Sequence, residues 1–383
     1  MPPGPGEVLD LIRRGKAVTR GDIAEVTGLS RMTVAQRLDA LLAADVVREG
    51  RADRHTGGRM PKRLEFNVDH SRVVAVSIDT RHAKVAITDL AGRILREEKC
   101  RTLVAHGPET VLNTIGETVA ALLRREHLDA SKVSGLGISL PSPVDPSTRR
   151  PSQPPIMPGW DAYPVAEHLQ EILPTTVLVE NDANAMALGE QVTGYPDCRA
   201  LVLVKVSTGI GTGIVIDGSL YRGIDGGAGD IGHVRLGDRL EAECQCGGHG
   251  CLAAVASGRA VAKALTALGI PATSGQDVRR LLKRGQPEAV RLTHEAGRVL
   301  GTVVATVVCL VNPGVLIIGG DLASSALISG IRETLYPLSL PRATRHLDIR
   351  LGSLGEDAAI VGMTHAVVDQ VFSPEAIDTR LAE

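Results

Sequence analysis

The chain has 383 residues, enough for two or three domains and a large buried core. Only 2% of them are aromatic, so that core must be built mainly from Leu, Val, Ile and Ala. The net charge of −2 hides an imbalance, with 12 Lys/Arg against 8 Asp/Glu in residues 1–63 and 30 against 36 in the rest, so a polyanion is expected to meet the front of the chain rather than its body.

Taken in order, Glu7–Arg14 reads as a short helix with Val8, Leu9, Leu11 and Ile12 on its apolar side. Thr19 is placed to cap a second helix, with Asp22 at the capping-box position. Gly28 ends that helix, and Ser30 caps a third whose buried stripe is Val34, Leu38, Leu41 and Leu42. A helix, a tight glycine turn and a second helix with a polar exposed face form the helix-turn-helix pattern. Arg31, Met32, Thr33, Gln36 and Arg37 face outward near the start of the third helix, the half that enters the major groove in such motifs. There Arg and Gln can make paired contacts with guanine and adenine edges.

Residues 46–68 then read as two short strands around a basic turn, a wing. Arg48, Arg51, Arg54, Arg59, Lys62 and Arg63 would neutralise phosphates of double-stranded DNA. The bland alternative is a solvated helix pair followed by a charged loop; the basic run directly behind the helices favours DNA.

The body alternates strands with helices. Residues 73–95 form a β-branched hairpin, 108–125 a helix, 133–140 a buried strand running into a Pro-rich loop, and 175–190 a strand feeding a helix. The second half repeats the logic with a strand, a Gly-rich turn and a strand over 200–223, and a strand ending in Gly319-Gly320. Two hairpin-led units predict a two-lobed α/β domain with a cleft between the lobes. The N-terminus lacks the apolar stretch of a signal peptide. The best apolar run, Val299–Val311, is too short to span a membrane, and clustered cysteines agree with a reducing, cytoplasmic setting.

Three of the six cysteines, Cys244, Cys246 and Cys251, fall within eight residues, with His233 upstream. Thiolate and imidazole are ligands that Zn2+ favours, and four of them close a tetrahedral structural site. A disulfide fits poorly, since three thiols leave one over. His249 is a spare donor that lies inside the knuckle and is expected to face solvent.

The segments GDIGH, CQCGGHGC, ENDANAMALGE and STGIGTG, with the GLSRMTVAQRLDALL helix in front, resemble the ROK family of repressors and sugar kinases over nearly the whole chain. The resemblance implies a winged helix-turn-helix over 1–66 and an actin-like, ribonuclease-H-like ATPase fold over 72–383. One lobe would comprise about 72–188 plus a C-terminal helix at about 358–372, the other about 189–357. Family kinases carry two glycines in a phosphate turn that here reads Asp79-Thr80-Arg81-His82-Ala83-Lys84, so a degraded nucleotide site and no enzyme are expected. The same resemblance makes Asn181, Asp182, Asp230 and His233 the effector contacts, with Asp182 at the position of the kinase general base. A helix-capping role is the alternative for Asp182. Asp230 replaces a longer carboxylate, and Ala253 and Ile156 replace polar sugar contacts, so the pocket is either re-specified or vestigial. The reading is a cytoplasmic regulator, a repressor of carbohydrate-related genes that binds a DNA operator as a homodimer or homotetramer with a sugar-type effector. An active sugar kinase with an appended DNA module is the rival, and a regulator without a ligand is the third reading.

Overall fold

A computed structural model describes residues 3–50 and 62–382. Three helices, α1 (Pro5–Arg13), α2 (Arg20–Thr27) and α3 (Arg31–Ala43), lead into β1 (Val47–Glu49) and β2 (Leu64–Phe66). The two strands pair antiparallel with Arg48 opposite Glu65. The start of α2 is fixed as the sequence dictates: the Asp22 backbone N–H donates to Thr19 Oγ1 at 3.1 Å, and Asp22 Oδ2 accepts from the Thr19 N–H at 3.0 Å. Gly28, at φ 70°, ends α2 in the left-handed region that favours glycine. Ser30 Oγ then accepts from the Thr33 N–H and starts α3.

Two five-stranded sheets of one design make up the body. In the first, β3 (Arg72–Ile78), β4 (His82–Thr88) and β5 (Ile94–Arg101) form an antiparallel meander. After α4 (Pro108–Arg125), β6 (Val133–Leu140) joins parallel to β3; α5 (Val165–Ile172) then leads to β7 (Thr176–Asn181). The linking helix α6 (Asp182–Gly194) opens the second sheet, which starts with β8 (Ala200–Val206), β9 (Ile210–Ile216) and β10 (Ser219–Leu220). Next come α7 (Leu252–Ala256), α8 (Gly258–Ala267), α9 (Gly275–Lys283) and α10 (Pro287–Val311), then β11 (Val315–Gly319), α11 (Ser325–Leu338), α12 (Pro341–Thr344) and β12 (Asp348–Leu351). The spatial orders are β5-β4-β3-β6-β7 and β10-β9-β8-β11-β12. Each sheet therefore runs third, second, first, fourth, fifth, its hairpin strands antiparallel and its helix-linked strands parallel.

Between the sheets lie α6 and a late helix, α13 (Ala358–Val371), burying Ala75, Leu201, Leu203 and Ile317 against Ala185, Ile360 and Met363. Glycine is what lets the two helices cross so closely. A Cβ on Gly362 would stand 1.8 Å from the Ala185 carbonyl oxygen, and one on Gly189 would stand 2.0 Å from that of Ala358. α10 is longer than the apolar run in its C-terminal half suggested and is long and apolar enough by length and composition to cross a membrane. In the fold it is a core helix, with Leu300, Val304 and Val308 buried and Gly301 packed against α11.

A last helix, α14 (Pro374–Ala382), escaped the sequence reading. It turns back onto α1, where the Gly6 N–H donates to Asp378 Oδ1 at 2.8 Å, while Asp369 of α13 pairs with Arg13 at 2.6 Å. Leu9, Leu38 and Leu64 share one buried cluster with Val73, Val367, Phe372 and Ile377. The N-terminal module and the body are thus joined through a common core.

Candidate functional site

On α3, Val34, Leu38 and Leu41 are buried, and Leu42 packs at the edge of the same core. That anchoring turns Arg31, Met32 and Gln36 outward, Met32 with 83% of its surface exposed. A large apolar side chain held in solvent at the start of such a helix is suited to contact a thymine methyl. Thr33 and Arg37 are half-buried, and Arg37 Nε is buried without a hydrogen-bond partner. The wing strands are tied to the module by the Leu64 N–H, which donates to the Val18 carbonyl at 2.7 Å, and Lys62 pairs with Glu49. Arg51, Arg54 and Arg59 of the wing turn lie outside the described residues.

The cysteine knuckle closes as its sequence predicts. Gly247 and Gly250 take φ values of 81° and 73°, and the Cys244 N–H donates to the Gly248 carbonyl, folding the loop back on itself. One donor atom each from His233, Cys244, Cys246 and Cys251 falls within 4.8 Å of all the others. Cys246 Sγ is 3.7 Å from Cys251 Sγ, and Cys244 Sγ is 3.8 Å from His233 Nδ1. A tetrahedron with metal–sulfur bonds of about 2.3 Å has edges of about 3.8 Å, which the two closest donor pairs match, so the cluster could hold a metal ion. Backbone N–H donation from Gly248 draws the Cys246 thiol down to about 7, whereas burial pushes Cys251 up to about 12. His249 is exposed and outside the cluster.

The segments that carry the predicted effector residues pack against β9. Asn181 and Asp182 sit at the junction of β7 and α6, and a Cβ on Gly213 of β9 would meet the Ala183 carbonyl at 2.4 Å. The loop carrying Asp230 and His233 crosses the same strand, where Gly229 (φ 100°) and Gly232 would bring a Cβ to 2.0 and 2.2 Å from the Thr212 and Ile210 carbonyls. Asp230 and His233 are exposed. Asn181, not Asp182, caps α6: its Oδ1 accepts from the Ala183 and Asn184 N–H groups, and its Nδ2 donates to the Ser142 carbonyl.

Asp182 is buried and ion-paired with Lys205 of β8. Burial opposes the Lys205 ammonium, yet the Asp182 and Asp79 carboxylates outweigh it and keep its pKa above the ordinary lysine value. Lys205, rather than Asp182, lines the cleft between the sheets, a cavity of about 410 Å³ shared with Asp79, Ser207 and Asp321. Sequence reasoning missed this residue, although a lysine inside the apolar strand ALVLVKV was a visible signal. It also missed Glu180, which is buried and holds Arg222 at 2.6 Å and Asn184 Nδ2 at 3.0 Å.

The ROK family profile matches residues 73–370. The chain belongs to the ROK family. The xylose repressor of Bacillus spizizenii is 26% identical over 94% of this chain and 94% of its own length. A glucokinase of Halalkalibacterium halodurans is 28% identical over 79% of this chain and 96% of its own length. Among solved structures, a ROK family transcriptional regulator described as a homolog of the E. coli MLC protein superposes with a TM-score of 0.82, at 24% identity over 98% of both chains. The glucokinase likeness therefore accounts for the ROK body alone, while the two others extend through the N-terminal module.

The phosphate-turn and pocket positions named from sequence have defined local structures. Residues 79–82 make a tight turn closed by the Asp79 N–H on the His82 carbonyl at 2.8 Å. Lys84 is buried and committed to Glu97, at 2.6 Å, and to Asp357. Ala253 is buried in the core of the second sheet, and Ile156 packs against that of the first.

Proposed function

We propose that this ROK protein is a DNA-binding transcriptional regulator, a repressor of carbohydrate-related genes, and not a kinase. What carries the reading is the span of likeness: a repressor matches both the N-terminal module and the body, and the glucokinase matches the body only. Residues 1–66 act as the operator-binding domain, with Arg31, Met32, Thr33, Gln36 and Arg37 toward base edges and Arg51, Arg54 and Arg59 toward phosphates. One such module covers little DNA, so the protein works as a homodimer or homotetramer on a pseudo-palindromic duplex. The setting is the cytoplasm.

Residues 72–383 form the sensing body, with a sugar-type effector held by Asn181, Asp230 and His233; Asp182, the fourth contact expected from sequence, is held by Lys205 instead. His233, Cys244, Cys246 and Cys251 hold a structural Zn2+, which fixes the imidazole through Nδ1 and leaves its other nitrogen for the effector. An effector alters DNA binding only through unequal affinity for the two arrangements of the halves. Phosphoryl transfer needs a carboxylate free to take the hydroxyl proton, and the pairing of Asp182 with Lys205 supports the reading that it does not serve as one. An ADP-release assay over a panel of hexoses, pentoses and amino sugars tests the division: background rates are expected throughout, and sugar-dependent turnover would overturn the reading.

A further inference from the structure

The open side of α3 carries more than charge. At about 100° per residue, Met32, Gln36 and Asp39 fall within about 60° of one another, and this stripe lies opposite the buried Val34, Leu38 and Leu41. Asp39 faces Arg20 of α2 at 3.8 Å, which draws it aside. The free part of the stripe is Met32 and Gln36, both exposed. Met32 is the more exposed of the two large apolar side chains that residues 3–50 leave in solvent, the other being Val26.

The turn that bears Met32 is not loose. Ser30 Oγ accepts from the Thr33 N–H at 3.2 Å and lies 2.9 Å from Thr33 Oγ1. The cap fixes the backbone, while the unbranched thioether can still settle on an irregular apolar surface. Arg31 beside it is exposed as well, so the partner of this face is a polyanion. In the major groove the apolar group that a base edge offers is the C5-methyl of thymine, and 5-methylcytosine carries the same group at the same place. Glutamine instead pairs with adenine N6 and N7. Four residues advance about 6 Å along a helix, close to two base steps of about 3.4 Å, so the two side chains address base pairs near one another.

We propose that Met32 reads the C5-methyl group of a pyrimidine in each operator half-site, with Gln36 on an adenine edge within about two base steps. The proposal rests on the operator reading and narrows it. The half-site must present a methyl group under the first turn of α3, and phosphate charge alone does not satisfy this helix.

The test starts from a duplex that the full chain selects from a random pool. Each thymine of one half-site is replaced in turn by uracil, which removes the methyl and keeps every hydrogen-bonding group. One buried methyl is worth about fourfold in affinity, so one of the uracil duplexes should bind about fourfold more weakly by fluorescence anisotropy. Met32→Ala should bind that duplex and its thymine parent alike, and Met32→Leu should restore the difference. Gln36→Ala should weaken both duplexes and keep their ratio. At the same position a 5-methylcytosine–guanine pair should bind about fourfold more tightly than a cytosine–guanine pair. Unshifted melting transitions in the variants show that the fold is unaffected. A wild-type ratio within twofold at every thymine, a ratio that survives Met32→Ala, or equal binding of cytosine and 5-methylcytosine would overturn the assignment and leave the operator reading standing. Equal binding of the selected duplex and a scrambled one would overturn both.

Discussion

Lys205 changes the meaning of Asp182. Sequence reasoning reached Asp182 by its place after a strand and before a helix and left two roles open, effector contact or helix cap. The structure gives the cap to Asn181 and an ion pair to Asp182. Two charges taken from water together are tolerated, whereas one left alone is not. Lys205→Ala is therefore expected to lower unfolding stability by about 3–5 kcal/mol, and Lys205→Met combined with Asp182→Leu to recover most of that loss. Urea unfolding of the single and double variants measures the coupling. A loss with Lys205→Ala no larger than with the double variant would mean that the pair does not hold the cleft. A side chain's partner 23 residues away is invisible to local pattern, and for this reason Glu180 and Arg222 were missed as well.

At the scale of elements, what could be read from sequence was what local chemistry decides. The capping box at Thr19 and Asp22, the αL residue at Gly28 and the bounds of α4 follow from residues within a few positions of one another. The cysteine knuckle was equally legible, because its ligands are close in sequence and its glycines supply the reversal. What escaped depends on distant packing: α14 has a small apolar face that makes sense only against α1, and the glycines of α6 and α13 record a helix crossing. The knuckle carries its own prediction. Cys246→Ser should drop bound zinc well below one per chain and lower the melting temperature by several degrees, read by elemental analysis and calorimetry; full zinc occupancy in the variant would count against the four-ligand site.

At the scale of the molecule, the two sheets meet through α6, α13 and a few cross-links, among them the half-exposed Glu356. Hydrogen bonds from Lys99 and Arg279 hold its carboxyl down to about 2, below its ordinary value of 4.5. A depressed acid contributes stability above its unfolded pKa and loses it as pH falls through the folded one, so this clasp is complete above about pH 4.5 and gone near pH 2. Nearly half the side chain is exposed, so solvent screening keeps the contribution under about 1 kcal/mol. Glu356→Gln should remove that part of the stability slope between about pH 4.5 and 2 and leave stability at pH 3 closer to wild type than at pH 7. Equal losses at both pH values would show that the carboxylate's charge is not what joins the halves.

The common core of Leu9, Leu38, Phe372 and Ile377 places α3, the helix proposed to read the operator, on the body itself rather than on a free tether, so a change in the body can reach it. The account stands or falls on sequence-specific DNA binding by that helix. A duplex selected by the protein from a random pool, titrated by fluorescence anisotropy at 0.15 M salt beside a scrambled duplex of the same composition, measures it. The selected duplex should bind at least about 10³-fold tighter, and Arg31→Ala with Gln36→Ala should narrow the ratio by about tenfold or more. Equal affinity for the selected and scrambled duplexes would contradict the account.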